Sequence, residues 1–134
     1  MSKQTRSALV VDDDPDIRKI VSTYLQRLDF KVTQAADGRS ALAALEAARP
    51  SLLCIDVMLP ETSGYDVCEY VRSSPTLRGL PILVMSARDM PKDRAIAEEL
   101  GARAYLSKPF TQAAFVAHVE QTLAADGTGD GTEP

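Results

Sequence analysis

The sequence predicts an α/β domain, a parallel five-stranded sheet with helices on both faces. Three observations carry this expectation. Short apolar runs alternate five times with stretches of helical periodicity, the order that builds successive βα units. Two of the runs, residues 52–55 (LLCI) and 82–85 (ILVM), are apolar without alternation, as in strands covered on both faces. The 134 residues suit one domain. A chain of this size buries roughly two-thirds of its unfolded surface, so it needs no disulfide or metal to fold.

The first strand, Ala8-Leu9-Val10-Val11, stops at three acids. Asp14-Pro15 then opens a helix, because Asp caps a helix N-terminus and Pro fits the first helical position. Ile17, Ile20, Val21, Tyr24, Leu25 and Leu28 recur at helical spacing and predict one apolar stripe. Residues 31–34 read as a short edge strand, and Asp37-Gly38 as a turn. An alanine-rich helix over residues 41–48 faces inward through Leu42 and Leu45, and Pro50 stops it. The third strand ends at Asp56. A loop with Pro60 and Gly64 leads to a helix through Val67, Cys68 and Val71. Pro81 introduces the fourth strand, and the next helix carries Ile96, Ala97 and Leu100 before Gly101 caps it. Ala104-Tyr105-Leu106 is the fifth strand and Lys108-Pro109 ends it. The last helix starts at Thr111 as N-cap, with Phe110 and Phe115 spaced for a hydrophobic staple, and runs through Val116, Val119 and Leu123.

Right-handed crossovers leave few ways to wind five such units. The best fit is a doubly wound (βα)5 sandwich of flavodoxin-like order 2-1-3-4-5. In that order the ligand site lies at the carboxyl ends of the strands, near the β1/β3 switch point. The domain is expected over residues 1–125. Residues 126–134 lack apolar side chains and are expected to be disordered.

Composition narrows the function. Hydrophobic residues make up 45% and charged residues 25%, as in soluble globular proteins, and the net charge of -4 argues against direct nucleic-acid binding. No apolar run is long enough to span a membrane, and the basic N-terminus lacks the apolar segment of a signal peptide, so a cytoplasmic location is expected. Cys54 and Cys68 sit inside apolar elements without metal-ligand spacing and read as buried thiols.

The chemistry gathers on one rim of the expected sheet. Asp12 and Asp13 end strand one, Asp56 strand three, Ser86 strand four and Lys108 strand five. Three carboxylates held close repel one another, and a hard divalent cation removes that cost. The acids therefore imply Mg2+, whose incomplete coordination by protein leaves room for a phosphoryl group. Asp56 is flanked by the most apolar residues and is read as the most enclosed acid. Its carboxylate can act as a nucleophile toward phosphorus. Lys108 offers a point charge and Ser86 a hydroxyl donor to offset the charge of the product. Each residue also has a plainer reading. Acid triplets commonly serve as solvated loops or caps, Lys108-Pro109 as a turn, and Tyr105 as a strand residue with its hydroxyl at the surface. His118, the one histidine, lies on the last helix away from the rim.

Four segments in order, Val10-Val11-Asp12-Asp13-Asp14-Pro15, Ile55-Asp56-Val57-Met58-Leu59-Pro60 with Gly64, Met85-Ser86-Ala87, and Tyr105-Leu106-Ser107-Lys108-Pro109-Phe110, resemble bacterial two-component response-regulator receiver domains. These belong to the chemotaxis-regulator-like superfamily. The resemblance covers residues 7–124. It implies that Asp56 is the phosphoacceptor, and that Mg2+ is held by Asp13, Asp56 and the Met58 backbone carbonyl with Asp12 assisting. It also implies that Ser86 and Lys108 meet the phosphoryl group, that the bond before Pro109 is cis, and that Ser86 and Tyr105 form the switch. The implied partners are a histidine kinase or phosphotransfer protein and a downstream protein, the latter met on the helix 4–strand 5–helix 5 face. The implied catalysis is limited to the domain's own Mg2+-dependent phosphorylation and dephosphorylation. One departure is Ser at position 86 where Thr is common, which keeps the hydroxyl. Asp14 is left to cap the helix.

Other functions fit less well. A receiver-like interaction module that never carries phosphate would be favoured by loss of an acid, the hydroxyl or the lysine, and all are present. A phosphatase of the haloacid-dehalogenase kind would want an acid two residues after Asp56, where Met58 stands. A nucleotide-binding protein would need a glycine-rich loop after strand one, where the acids stand. No output domain is visible in these residues, so the chain is expected to signal by binding another protein, either as a stand-alone shuttle or adaptor or as a receiver cut from a longer protein.

Overall fold

The computed structural model describes residues 6–124. The expected tail at 126–134 lies outside them. Among the described residues ten elements alternate: β1 (Arg6–Val11), α1 (Pro15–Gln26), β2 (Phe30–Ala35), α2 (Gly38–Ala48), β3 (Leu52–Asp56), α3 (Gly64–Ser73), β4 (Ile82–Ser86), α4 (Pro91–Glu99), β5 (Ala104–Ser107) and α5 (Gln112–Ala124). The strands form one parallel sheet in the order β2-β1-β3-β4-β5, as expected. Among the described residues no helix is long and apolar enough to cross a membrane.

Successive strand residues point to opposite faces, so the unbroken apolar runs feed two cores. Leu53, Ile55 and Val84 join Leu45, Val67, Val71 and Ala97 on one side, under α2, α3 and α4. Leu52, Cys54, Leu83 and Met85 join Val21, Leu25, Phe115 and Val119 on the other, under α1 and α5. Strands without sequence alternation are thus the ones the sheet needs buried twice.

Local signals account for the helix ends. The Asp14 carboxylate accepts the Asp16 N–H and Pro15 begins α1. Asp37 also proves to be an N-cap, accepting the Ser40 N–H, so its Asp-Gly pair opens α2 and the helix starts three residues earlier than the alanine pattern suggests. Thr111 caps α5 by accepting the Ala114 N–H, and the Phe110 and Phe115 rings stack with centroids 5.8 Å apart. Gly101 ends α4 at φ +100, a left-handed conformation that suits glycine. Two apolar residues depart from expectation: Ile20 is 43% and Ile96 39% exposed. Ile20 lies at the edge of the α1 stripe, beside Lys19 and Thr23, where spacing alone does not say how far the sheet covers the helix.

Gly64 sets the loop that follows β3. Its N–H donates to the Val57 carbonyl at 3.0 Å, closing the chain back on itself. A Cβ at this position would lie 2.3 Å from the Asp56 carbonyl oxygen and 2.5 Å from the Val57 Cα. Both are backbone atoms and cannot swing aside. Gly64→Ala is therefore expected to cost about 2–3 kcal/mol and lower the melting temperature by roughly 8 °C. An unchanged melting temperature would mean that the loop yields without cost.

Candidate functional site

The sheet register assembles the site. Val11 pairs with Ile55, so the next residues, Asp12 and Asp56, leave the sheet side by side. Ser86 pairs with Ser107, which brings Lys108 to the same rim, and the Lys108 N–H donates to the Ser86 carbonyl at 2.8 Å. The bond between Lys108 and Pro109 is cis.

The Lys108 ammonium donates to Asp12 Oδ2 and Asp56 Oδ2, each at 2.6 Å, and its side chain is only 15% exposed. The remaining carboxylate oxygens are also engaged. Asp12 Oδ1 accepts the Asp14 N–H at 2.9 Å, and Asp56 Oδ1 accepts the Met58 N–H at 2.8 Å. One correction follows for enclosure. Asp12, at 0% exposure, is the most buried acid, ahead of Asp56 at 5%. Asp12 sits under Lys108, and Arg18 reaches over its carbonyl oxygen at 2.7 Å, contacts that flanking residues do not reveal. Asp13 is exposed. Carboxylate oxygens of Asp12, Asp13 and Asp56 lie within 4.8 Å of one another.

Burial pushes the Asp56 carboxyl above its ordinary pKa. Lys108 and the Met58 N–H oppose that rise, and the charge of Asp12 adds to it. For Lys108, burial works to lower the pKa, but hydrogen bonds to Asp12 and Asp56 outweigh it and hold the ammonium above its usual range. One ammonium among three acids leaves the cluster short of positive charge. Its donors are all carboxylate oxygens, the set that suits a hard divalent cation. We expect 10 mM Mg2+ to raise the melting temperature by about 5 °C if binding is in the millimolar range. Differential scanning calorimetry with and without chelator measures this, and an unchanged melting temperature would contradict metal binding by the acids.

The other expected residues fall around the cluster. Ser86 is fully buried, and its Oγ accepts the Arg88 N–H at 3.0 Å, which leaves the O–H as a donor. The Met58 side chain is 48% exposed. Tyr105 is 8% exposed, and its hydroxyl donates inward to the Arg88 carbonyl at 2.5 Å. The Arg94 guanidinium covers its ring at 4.8 Å from the centroid. The surface-hydroxyl reading of Tyr105 is thus replaced by one that ties β5 to the loop after β4. The thiols stay apart from this chemistry: Cys54 and Cys68 are free and buried, and burial pushes Cys68 up to about 12. His118 Nδ1 is engaged by the Ala114 carbonyl of its own helix.

Asp93 escaped sequence reading. It lies in the first turn of α4, where an acid normally favours the helix dipole from solvent. Here it is 2% exposed, with the Arg88 guanidinium 3.2 Å from its Oδ1. The period of α4 could have flagged it, since Asp93 lies four residues before the inward-facing Ala97.

Comparison with known proteins agrees with this geometry. The family model of the response regulator receiver domain matches residues 8–120. The transcriptional regulatory protein GltR of Pseudomonas aeruginosa is 42% identical over 126 residues, covering 92% of this chain and 51% of GltR. The alkaline phosphatase synthesis transcriptional regulatory protein PhoP of Bacillus subtilis is 36% identical, covering 88% of this chain and 48% of PhoP. The chain thus spans about half the length of these curated relatives. The solved structure of the chemotaxis response regulator CheY4 of Vibrio cholerae superposes with a TM-score of 0.84 at 31% identity, covering 89% of this chain and 99% of CheY4.

Proposed function

Because the chain belongs to the response regulator receiver domain family, we propose that it is a phosphorylation-activated switch whose Asp56 accepts a phosphoryl group from a histidine kinase or phosphotransfer protein. One observation carries this reading. A single ammonium bridges Asp12 and Asp56 at 2.6 Å, with the Asp13 carboxylate alongside.

The chemistry follows from what these groups can do. An Asp56 carboxylate oxygen attacks phosphorus, the P–N bond of the phosphohistidine donor breaks, and its imidazole leaves with the electron pair. Lys108 lies within reach of the oxygens that gain charge, and the Ser86 O–H donates to one of them. Mg2+, held by Asp12, Asp13, Asp56 and the Met58 carbonyl, supplies further neutralisation of the phosphoryl oxygens when bound. Catalysis is limited to the domain's own phosphorylation and dephosphorylation, so the chain is a substrate and switch and turns over no other molecule.

Ser86 and Tyr105 are the proposed switch pair. Ser86 Oγ and the Tyr105 hydroxyl hold the N–H and the carbonyl of Arg88, so movement of Ser86 toward phosphate would pull on the same residue that Tyr105 holds. The phosphoryl group would thereby shift an existing balance of conformations. The face built by α4, β5 and α5 would meet the downstream protein in the cytoplasm. This chain itself would touch neither nucleic acid nor membrane. The alternative, a phosphorylation-independent module, finds no support in a site that keeps every acid, the hydroxyl and the lysine.

The test uses a phosphotransfer protein carrying radiolabelled phosphohistidine. In Mg2+ the label is expected to move to this chain as a hydroxylamine-labile acyl phosphate. Retention of all label on the histidine with every donor tried would overturn the reading.

A further inference from the structure

We infer that Arg18 is a positioning residue for the metal site: from α1 it fixes the Asp12 carbonyl, and so the placement of the Asp13 carboxylate as a Mg2+ ligand. The inference rests on the reading that the acids hold Mg2+.

Asp12 is held at each of its polar atoms. Its N–H donates to the Ala35 carbonyl at 3.2 Å, Oδ1 accepts the Asp14 N–H at 2.9 Å, and Oδ2 accepts the Lys108 ammonium at 2.6 Å. Its carbonyl oxygen accepts Arg18 Nη1 at 2.7 Å. This last bond differs from the others in what it fixes. The carbonyl belongs to the planar unit that joins Asp12 to Asp13, so holding it sets the direction in which Asp13 leaves. The Asp13 side chain is exposed and makes no hydrogen bond or ion pair among the described residues. Its carboxylate is therefore placed by its backbone, within 4.8 Å of oxygens of Asp12 and Asp56.

The start of α1 delivers Arg18 to this point. Asp14 caps the helix, and the Arg18 N–H donates to the Asp14 carbonyl one turn later. Helical side chains lean toward the helix N-terminus, which carries the guanidinium back over the acid loop. Arg18 Nε donates to Gln34 Oε1 on β2 at 3.3 Å. A guanidinium is a rigid planar fork, so that bond also aims Nη1.

Two effects of Arg18 on a cation oppose each other. Its charge repels Mg2+, whereas its hold on the loop sets a ligand in place. Arg18 is half-buried at the surface, where solvent and salt weaken the repulsion. The carbonyl it holds belongs to a residue with 0% exposure, so without Arg18 that oxygen is left short of a donor and the peptide unit must turn to find water. Loss of a partner that orients a metal ligand commonly costs about tenfold or more in metal affinity, so placement outweighs repulsion.

Calorimetric titration of the whole chain with Mg2+ alone, on wild type, Arg18→Met and Arg18→Lys, tests this. Methionine keeps the stem and loses the donors, and lysine keeps a charged donor. Arg18→Met is expected to weaken binding about tenfold and Arg18→Lys no more than about threefold. Unchanged or tighter binding by Arg18→Met would overturn the inference, and so would an equal loss in both variants, which marks a packing role. A wild type that binds no Mg2+ would overturn the metal reading and this inference with it, whereas equal binding by wild type and Arg18→Met overturns this inference alone. In labelling by acetyl phosphate, Arg18→Met should need about ten times more Mg2+ for half-maximal rate, with the rate at saturating Mg2+ within about twofold of wild type. A lower saturated rate at an unchanged Mg2+ requirement would overturn the inference. A further readout needs neither variant nor metal. NMR relaxation of metal-free wild type should give the Asp13 N–H an order parameter of about 0.85, that of rigid backbone. A value below about 0.6 would show that the loop is not held, and would overturn the inference even if neither variant folds.

Discussion

Lys108→Met is expected to leave a folded but markedly weaker protein in the absence of metal, with the loss reversed by Mg2+. The ammonium donates to Asp12 and Asp56 at 2.6 Å, and these acids are 0% and 5% exposed. Removing one partner of a buried pair strands its counterions, which typically costs about 3 kcal/mol. For a domain of this size that corresponds to a fall in melting temperature of roughly 10 °C. A divalent cation replaces the missing positive charge, so Mg2+ should recover more stability in the variant than it adds to wild type. The phosphorylation rate should not recover with it, because Lys108 also offsets charge as the phosphoryl group transfers; a drop of about a hundredfold is expected. Calorimetry and a labelling time course on the same sample separate the two effects. Full recovery of rate by Mg2+ would remove Lys108 from the chemistry.

Asp56→Asn is expected to do the opposite to metal-free stability. The Asp56 pKa is raised by burial and by the neighbouring Asp12 charge, against the pull of Lys108. A carboxyl whose folded pKa lies above its unfolded value favours folding in its protonated form. Its ionisation therefore costs stability above the folded pKa, and the cost disappears as pH falls below the unfolded value near 3.8. Asparagine removes that cost and leaves Lys108 paired with Asp12. The variant should melt higher than wild type at neutral pH without metal, because the cost of ionising a buried carboxyl is gone. The difference should narrow toward acid pH. Its response to Mg2+ should largely vanish, since one of three donor carboxylates is gone. A variant less stable than wild type across the whole pH range would mean that the Lys108–Asp56 pair outweighs the burial it requires.

Much of this arrangement was legible in the chain because the signals are local. Unalternating runs at 52–55 and 82–85 announced strands covered twice, Asp14-Pro15 announced a capped helix, and acids, hydroxyl and lysine each stood at a strand end. Strand order then brought together residues as far apart as Asp12 and Lys108. What the sequence hid depends on side chains reaching across elements. Asp12 reads as one acid of three, and its full burial under Lys108 and beside Arg18 is a tertiary fact. Ile20 and Ile96 carry the right spacing, but the sheet's edge decides how much of each helix it covers. Asp93 looks like an ordinary first-turn acid until Tyr65 on α3 and Arg88 after β4 close over it. Tyr105 likewise gains its meaning from a carbonyl seventeen residues away in sequence.

The central claim is tested most directly by intact-mass spectrometry after incubation with acetyl phosphate and Mg2+, on wild type and Asp56→Asn side by side. The expected result is one added phosphoryl group on wild type, lost when Mg2+ is chelated and absent from the variant. A phosphoryl group retained by Asp56→Asn would contradict the assignment of Asp56 as the phosphoacceptor.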